Sequence, residues 1–278
     1  MKLTRRDLLK TGIVTAASGM LGFSPSASAA FKSIPTCLQL YSVGGVSDDP
    51  AKRMADVAAM GYKGVEYAGF GGYSAKELRK FQDDAGLFCN GSHTGRDGIE
   101  NLDNLKNTLD FHKELGAKFV ICPGMGNDGV DGWKKAGENF AKAAEVAKTY
   151  GIYVGYHAHQ PDFDVIDEKN NLSSWEIFAD ASGDDVMLQI DLGHCVNKGA
   201  DPYALIAKYP GRSKTTHIKE SDGKIIGEGR VDWICALTLL ESVGGAETYT
   251  IEYEADLDRM EAVRLDLEAF NRIRGINS

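Results

Sequence analysis

Tyr150-Gly151-Ile152-Tyr153-Val154-Gly155-Tyr156-His157 is the stretch of sequence that decides the fold, because two different periodicities meet in it at a glycine. The residues before it, 132–150, have a helical period, and Gly151 stands where a helix is expected to end. The run from Tyr153 to His157 is short and rich in strand-forming residues. A helix that ends at a glycine and is followed at once by a strand is typical of parallel α/β folds.

The same alternation of strand and helix recurs from residue 31 to the end of the chain. The predicted strands are Thr36–Leu40, Gly64–Tyr67, Leu87–Ser92, Phe119–Cys122, Tyr153–His157, Met187–Asp191, Thr215–Ile218 and Thr248–Tyr253. The predicted helices are Pro50–Met60, Ala75–Ala85, Ile99–Leu115, Gly132–Tyr150, Ser173–Ala181, Pro202–Tyr209, Asp232–Ser242 and Leu257–Ile273. Ser74, Asp201 and Asp256 are the expected N-caps.

Eight such pairs in roughly 240 residues predict an α/β protein with one domain, a (β/α)8 TIM barrel. The alternative is a doubly wound open sheet. That fold would place a G-x-G-x-x-G turn after the first strand, and residues 41–45 do not supply this spacing. The stretch from His159 to Leu172 is longer than a usual barrel loop, and it follows the fifth strand on the side where such barrels hold their chemistry.

The first 29 residues resemble a twin-arginine export signal. Arg5 and Arg6 precede a modestly apolar run at 12–23, and Ala27-Ser28-Ala29 offers small residues for cleavage. A retained membrane anchor is the alternative, although a run of about a dozen residues is too short to span a bilayer. We therefore expect a signal peptide at 1–29, a barrel at 30–278, export to the periplasm, and no membrane span after cleavage.

The charge of the chain limits its partners. The net charge is −9, and the signal carries a net +3, so the remaining chain is near −12. A chain of this negative charge does not attract the phosphate backbone of a nucleic acid through its overall field. We therefore expect a small-molecule ligand and no nucleic acid. Five cysteines without a C-x-x-C pair are expected to be free thiols. The sequence is also compatible with a homo-oligomer.

Side chains that bind metals end the last four predicted strands. They are His157, Asp191, His217 and Glu252. Taken singly, a histidine in a strand is often a satisfied core residue, and an aspartate at a strand end often caps the next helix. Closing the barrel brings all four to one rim, where buried carboxylates and imidazoles without a cation would carry unpaired charge. The four residues therefore predict a site for one divalent metal ion.

Five motifs in a fixed order are similar to those of the xylose-isomerase-like superfamily of sugar and sugar phosphate isomerases and epimerases. They are Gly155-Tyr156-His157-Ala158-His159, Gln189-Ile190-Asp191-Leu192-Gly193-His194, His217-Ile218-Lys219-Glu220, Gly227-Glu228-Gly229-Arg230-Val231-Asp232-Trp233 and Ile251-Glu252-Tyr253-Glu254. The resemblance covers essentially the whole chain after residue 30. It implies a TIM barrel in which Asp191, His217 and Glu252 bind the metal. It also implies proton abstraction next to a sugar carbonyl through a metal-stabilised enediolate.

The chain departs from the epimerase pattern at the fifth strand, where a metal-binding glutamate is usual and His157 stands instead. His159 lies on the same face, so either histidine is a candidate for the fourth ligand. Tyr-His-x-His resembles a branch that includes exported members and enzymes that act on keto-sugars and inososes by elimination or hydration. A keto-sugar dehydratase, lyase or hydratase, acting on a 3-keto-glycoside or an inosose-like compound, is therefore the close alternative.

Further functional residues are predicted near the carboxyl ends of the strands. We expect Glu252, Lys219 and His159 to be catalytic and Glu66, His93 and His194 to bind substrate. Lys219 would have its ammonium form disfavoured by a nearby dication and could carry a proton. His112 is expected on a helix surface, and the loop from Gly227 to Trp233 is expected to make a tight turn.

Two imidazoles with two carboxylates favour Mn, Co, Fe or Zn over Mg. The sequence is also compatible with two hypotheses from other functional classes. A nuclease of the endonuclease IV type shares the superfamily fold but needs ligands for more metals and a DNA-binding face. A non-catalytic sugar-binding protein would keep its ligand when the metal is chelated.

Overall fold

Eight parallel strands pair in the order in which they occur in the chain. The computed structural model describes residues 31–126 and 129–276, so the predicted export signal lies outside the described residues. The strands are β1 Thr36–Gln39, β2 Gly64–Tyr67, β3 Phe88–His93, β4 Phe119–Cys122, β5 Tyr153–His157, β6 Met187–Gln189, β7 Thr215–Ile218 and β8 Thr248–Ile251. β1 pairs with both β2 and β8, so that Leu38 lies between Val65 and Ile251. The predicted (β/α)8 barrel is confirmed.

The barrel closes between β6 and β7 through a short seam. Asp191 and His217 form an isolated parallel bridge just beyond the end of β6. The His217 amide donates to the Ile190 carbonyl at 3.0 Å, and the Leu188 amide donates to the Arg212 carbonyl at 2.8 Å. Two of the four predicted metal ligands are therefore part of the backbone pairing that completes the cylinder.

A helix follows each strand on the outside of the barrel. The helices are α1 Pro50–Met60, α2 Ala75–Asp84, α3 Leu102–Leu115, α4 Gly129–Tyr150, α5 Ser174–Ser182, α6 Pro202–Lys208, α7 Trp233–Leu239 and α8 Arg259–Ile273. Ser74 and Asp201 cap α2 and α6 as predicted. The predicted cap at Asp256 is wrong, because α8 starts later and Asp258 accepts from the Glu261 amide at 2.9 Å.

Several short additions to the basic pattern lie at the carboxyl ends of the strands, among them a 3-10 turn at Leu40–Val43 after β1 and a helix at Asp97–Glu100 after β3. A short helix, Leu192–Lys198, follows β6 before α6. The long segment predicted as a loop after β5 contains a 3-10 turn at Gln160–Phe163 and a small antiparallel hairpin of Val165–Asp167 with Leu172–Ser173. Within the described part of the chain, no helix is long and apolar enough to cross a membrane.

Alternation along the strands separates an outer apolar shell from the barrel interior. In β5, the Tyr156 ring packs outward, 5.1 Å from the Phe178 ring and 5.6 Å from the Trp175 ring. The neighbouring His157 points inward and is fully buried. A Cβ on Gly155 would lie 2.5 Å from the Met187 carbonyl oxygen, so the close approach of β6 requires glycine there.

The interior of the barrel is layered. Phe119, Ile121 and Met187 form an apolar cluster inside it. A second set of interior side chains is polar and hydrogen-bonded, and it comprises Gln39, Glu66, Asn90, Gln189, Thr215 and Thr250. This polar set contacts His217 directly through Glu66, so it supports the rim where the four predicted ligands lie.

Candidate metal centre

The four residues predicted to bind a metal lie together. One ligand atom each from His157, Asp191, His217 and Glu252 falls within a group whose members are all within 4.8 Å of one another. His157 ends β5, His217 lies in β7, and Asp191 and Glu252 come just after β6 and β8. All four side chains are buried. Parallel pairing around the barrel is the reason that residues far apart in sequence share this rim.

The contacts between His217, Glu252 and Asp191 include one hydrogen bond and leave one carboxylate oxygen without a partner among the described residues. His217 Nδ1 lies 3.0 Å from Glu252 Oε2 and 3.7 Å from Asp191 Oδ2. Asp191 Oδ1 accepts from the His194 amide at 2.7 Å, whereas Asp191 Oδ2 has no hydrogen-bond partner among the described residues. Asp191 therefore caps the short helix with one oxygen and presents the other to the cluster.

His157 gives the clearest sign that a group belongs in this space. Its ring is fully buried, and neither Nδ1 nor Nε2 has a hydrogen-bond partner among the residues described. A buried polar atom without a partner costs free energy, so unpaired nitrogens call for a ligand. Burial, helped by the neighbouring His217 and His93, lowers the pKa of His157 well below its ordinary value. A neutral imidazole of this kind is suited to metal binding.

The charges around the cluster also favour a cation. Burial alone would raise the pKa of Asp191, but Lys219 and His194 lower it. Burial alone would also raise the pKa of Glu252, but His217 and Lys219 lower that pKa below its usual range. With Glu66 and Glu254, the site holds four carboxylates and one lysine, Lys219. A divalent ion would offset the excess negative charge, so the residues present could bind a metal.

Lys219 lies at the mouth of the cluster, among three carboxylates. Its Nζ donates to Glu254, and it lies 3.4 Å from Glu252 Oε2 and 3.9 Å from Asp191 Oδ2. Burial would lower the pKa of Lys219, but these three carboxylates outweigh burial and raise it. The protein's own charges thus favour the ammonium form when no dication is bound, and the predicted shift, which requires a bound dication, stays a prediction.

His159, His194 and His93 surround the cluster. The His159 ring lies 4.7 Å from that of His157 and 5.3 Å from that of His194. Burial and the neighbouring His194 lower the pKa of His159. His93 Nε2 lies 3.2 Å from Glu66 Oε1, and an atom of the His93 ring forms a second possible ligand group with His157 and His217. These three histidines are partly exposed, so a small molecule at the mouth could reach them.

Two sequence expectations need correction. Glu66 was expected to touch substrate, but its side chain is fully buried and surrounded by donors inside the barrel. His112 was expected on a helix surface, but it is buried, with its ring 2.5 Å from Ser92 Oγ and 2.6 Å from the Thr108 carbonyl oxygen. The helical pattern could not reveal this, because the partner Ser92 lies on β3.

Sequence reasoning missed some residues that line the mouth. A cavity of about 130 Å³ lies beside Lys219 and Glu252, and its lining includes Gln160, Asn197 and Glu254. Glu254 follows Glu252 by two residues, which is a spacing that could have indicated it. The predicted turn after Gly227 is held by Glu220, whose carboxylate accepts from the Gly227 and Val231 amides.

Comparisons with known proteins converge on one family. The sequence model described as "Xylose isomerase-like TIM barrel" matches residues 54–273. An inosose dehydratase from Clostridium beijerinckii is 30% identical over 128 residues, which is 40% of this chain and 41% of that protein, less than half of either.

Two solved structures extend the comparison. The crystal structure of a sugar phosphate isomerase/epimerase from Parabacteroides distasonis has a TM-score of 0.75 at 25% identity, covering 90% of this chain and 98% of that chain. The crystal structure of IOLI protein with a bound zinc atom has a TM-score of 0.67 at 14% identity, covering 87% and 98%. This last likeness concerns the fold alone.

Proposed function

Because the chain belongs to the xylose isomerase-like TIM barrel family, we propose that it is a divalent-metal-dependent sugar isomerase or epimerase that removes a proton next to a carbonyl group. The observation that supports this most is the buried His157, which lies beside Asp191, His217 and Glu252 and whose two ring nitrogens have no hydrogen-bond partner in the described part of the chain. A sugar-binding protein without chemistry would not need unpaired metal-binding atoms at the base of its pocket.

The four clustered residues would hold the ion, and their two imidazoles favour Mn, Co, Fe or Zn over Mg. When bound, the ion would polarise the carbonyl of a keto-sugar and so make the neighbouring C–H bond more acidic. His157 takes the place of the fourth ligand in this proposal. His159 stands farther out, where its partly exposed ring is available to the substrate.

The proton is moved by residues at the mouth. Glu252 and His159 are the proposed proton acceptors, because a carboxylate and a neutral imidazole both accept a proton from carbon. The Lys219 ammonium lines the cavity at the mouth and would donate a hydrogen bond to the substrate oxygen on which negative charge develops. His194 and His93 are the proposed contacts to substrate hydroxyls. Return of the proton to the adjacent carbon, or to the other face, completes isomerisation or epimerisation.

A second outcome of the same first step is elimination. The strand-five position that would carry a second carboxylate is occupied by His157, so the epimerase arrangement of two opposed glutamates is incomplete. Similarity to an inosose dehydratase also favours this outcome. Loss of a β-oxygen substituent after proton removal would make the protein a keto-sugar dehydratase or lyase, or a hydratase in the reverse direction.

One experiment separates these outcomes. The metal-loaded protein is incubated in deuterated water with a panel of ketoses, inososes and 3-keto-glycosides, and products are followed by mass spectrometry and NMR. Deuterium incorporation with an intact carbon and oxygen skeleton supports isomerisation or epimerisation. Loss of water or of an aglycone supports elimination. Neither exchange nor elimination on any member, with metal bound, contradicts the proposal.

We also propose that residues 1–29 direct export to the periplasm before cleavage. The paired arginines support this proposal. Cell fractionation of the full chain should place the shortened protein in the periplasm. The double substitution Arg5→Lys and Arg6→Lys should retain the uncleaved chain inside the cell. Equal export of this variant and the wild type would contradict a twin-arginine route.

A further inference from the structure

Glu66 is enclosed inside the barrel by donors only. Its Oε1 accepts from Gln39 Nε2 at 2.8 Å and lies 2.9 Å from His217 Nε2. Its Oε2 accepts from Gln189 Nε2 at 2.8 Å and from Asn90 Nδ2 at 3.3 Å. Glu66 is thus a fixed carboxylate that accepts and does not donate.

The side chains around Glu66 are arranged at some energetic cost. The amide groups of Gln189 and Asn90 both direct N–H groups at the carboxylate. Their carbonyl oxygens, Gln189 Oε1 and Asn90 Oδ1, are buried without hydrogen-bond partners among the described residues. Because unpaired buried acceptors are unfavourable, this arrangement indicates that the position of the carboxylate matters more than complete pairing of the amides.

The two nitrogens of His217 face different groups. Nε2 faces Glu66, and Nδ1 faces the cluster, 3.0 Å from Glu252 Oε2. A neutral imidazole carries one N–H and one lone pair, and the partner of one nitrogen decides which tautomer is present. Glu66 can only accept, so it favours the N–H on Nε2. Glu252 likewise accepts at Nδ1 in the metal-free site, so the Nδ1 lone pair becomes available when a metal in the cluster replaces the Nδ1 proton, while Glu66 retains the N–H on Nε2.

We propose that Glu66 is a positioning residue, which orients the His217 ring and holds it in the Nε2–H tautomer so that Nδ1 is available to the metal. This inference rests on the proposed function, since it assumes that the cluster binds an ion. Within residues 31–126 and 129–276, His157 has no comparable partner on either nitrogen. Of the two histidines, His217 is therefore the one whose ring is fixed before the metal arrives.

The first test is the zinc affinity of Glu66→Gln, measured by competition with a chelating dye. Loss of a partner that orients a metal-binding histidine typically weakens metal binding about 10–100-fold, and we expect a change of this size. Asp266→Asn is the matched control, because it changes another buried carboxyl to an amide, one whose Oδ1 accepts from the Ile226 amide. The control should bind zinc like the wild type.

Double substitutions test whether Glu66 acts through His217. In an Asp191→Asn background, Glu66→Gln should weaken zinc binding by its full factor, because Asp191 does not contact Glu66. In a His217→Gln background, Glu66→Gln should have no further effect. Equal factors in both backgrounds would overturn the proposal, since a general electrostatic or structural role does not depend on His217.

The histidine ring signals provide a readout independent of affinity. The His217 ring signals are assigned as those that disappear in His217→Gln. In the zinc form, two-bond proton–nitrogen spectra should show that His217 is in the Nε2–H tautomer. This pattern should weaken in Glu66→Gln. If Glu66→Gln does not fold, Glu66→Asp keeps the charge and withdraws the carboxylate, and it should also weaken zinc binding. Wild-type affinity in either folded variant overturns the inference alone, whereas a wild-type protein that binds no metal removes the proposed function.

Discussion

Asp191 and His217 face each other as the parallel bridge that closes the barrel between β6 and β7. Both residues also belong to the buried cluster that could bind a metal. Backbone closure and metal binding therefore depend on the same two positions. An ion bound by both side chains would crosslink β6 and β7 at the point where the barrel is closed by a single bridge.

Metal binding is expected to stabilise the folded chain and to protect this seam. At a free metal concentration of 100 times the dissociation constant, linkage adds about 2.7 kcal/mol to the free energy of unfolding. For a chain of this size, this corresponds to a rise in Tm of about 5–10 °C. Calorimetry with and without chelator measures the shift. Hydrogen exchange of the His217 amide, which donates to Ile190, should slow with metal; unchanged exchange there would contradict a role at the seam.

The two oxygens of Asp191 allow capping and metal binding to be separated. Asp191→Asn keeps an oxygen that can accept from the His194 amide but removes the charge that faces the cluster. We expect this variant to bind metal more weakly, but still measurably, with little change in metal-free stability. Asp191→Ala should also lose about 1 kcal/mol of stability through the missing cap. Metal titration and urea unfolding of both variants check this, and strong metal binding by Asp191→Ala would contradict the assigned site.

Lys219→Met should reduce turnover without abolishing metal binding. Its ammonium lies among three carboxylates at the mouth, and loss of a group that stabilises developing charge costs about 100–1000-fold in rate. Metal affinity should stay the same or increase, because a competing positive charge is removed. Lys224→Met is the control, as Lys224 lines the same cavity but is exposed. Similar losses in both variants would argue against a specific role for Lys219.

His112 should make the protein sensitive to acid. Burial lowers the pKa of His112 from 6.5 to about 4. The unfolded chain therefore takes up this proton first, and stability is lost as the pH falls from about 6.5 to about 4, by about 3 kcal/mol for this residue. In His112→Gln this part of the pH dependence should disappear. Urea unfolding of both proteins in chelator at several pH values gives the difference; parallel curves would refute the assignment.

Much of the barrel could be predicted because its signals are local. β2, β4, β5 and β7 have the predicted bounds, and at β5 the turn glycine Gly151 separates the strand from a long helix. The hairpin within 159–172 could not be predicted, because it depends on contacts after β5 rather than on a period. The short helix after Asp191 was missed because its seven residues are too few for a helical pattern.

The four clustered residues could be predicted because parallel strands place their ends at one rim. Depth within the barrel could not be predicted in the same way. Glu66 follows the same rule of strand ends, yet the structure encloses it beneath the rim. Position along a strand indicates the direction of a side chain, whereas the depth of enclosure depends on the neighbours Gln39 and Gln189.

The polar interior has a consequence for engineering. Many TIM barrels fill this space with branched aliphatic side chains. A design for higher thermal stability could therefore replace Gln39, Asn90 and Gln189 with such side chains. Such repacking would leave the buried Glu66 carboxylate without its donors and would remove the support under His217, so stability and turnover would both fall. The safer places for stabilising substitutions are the outward-facing helices.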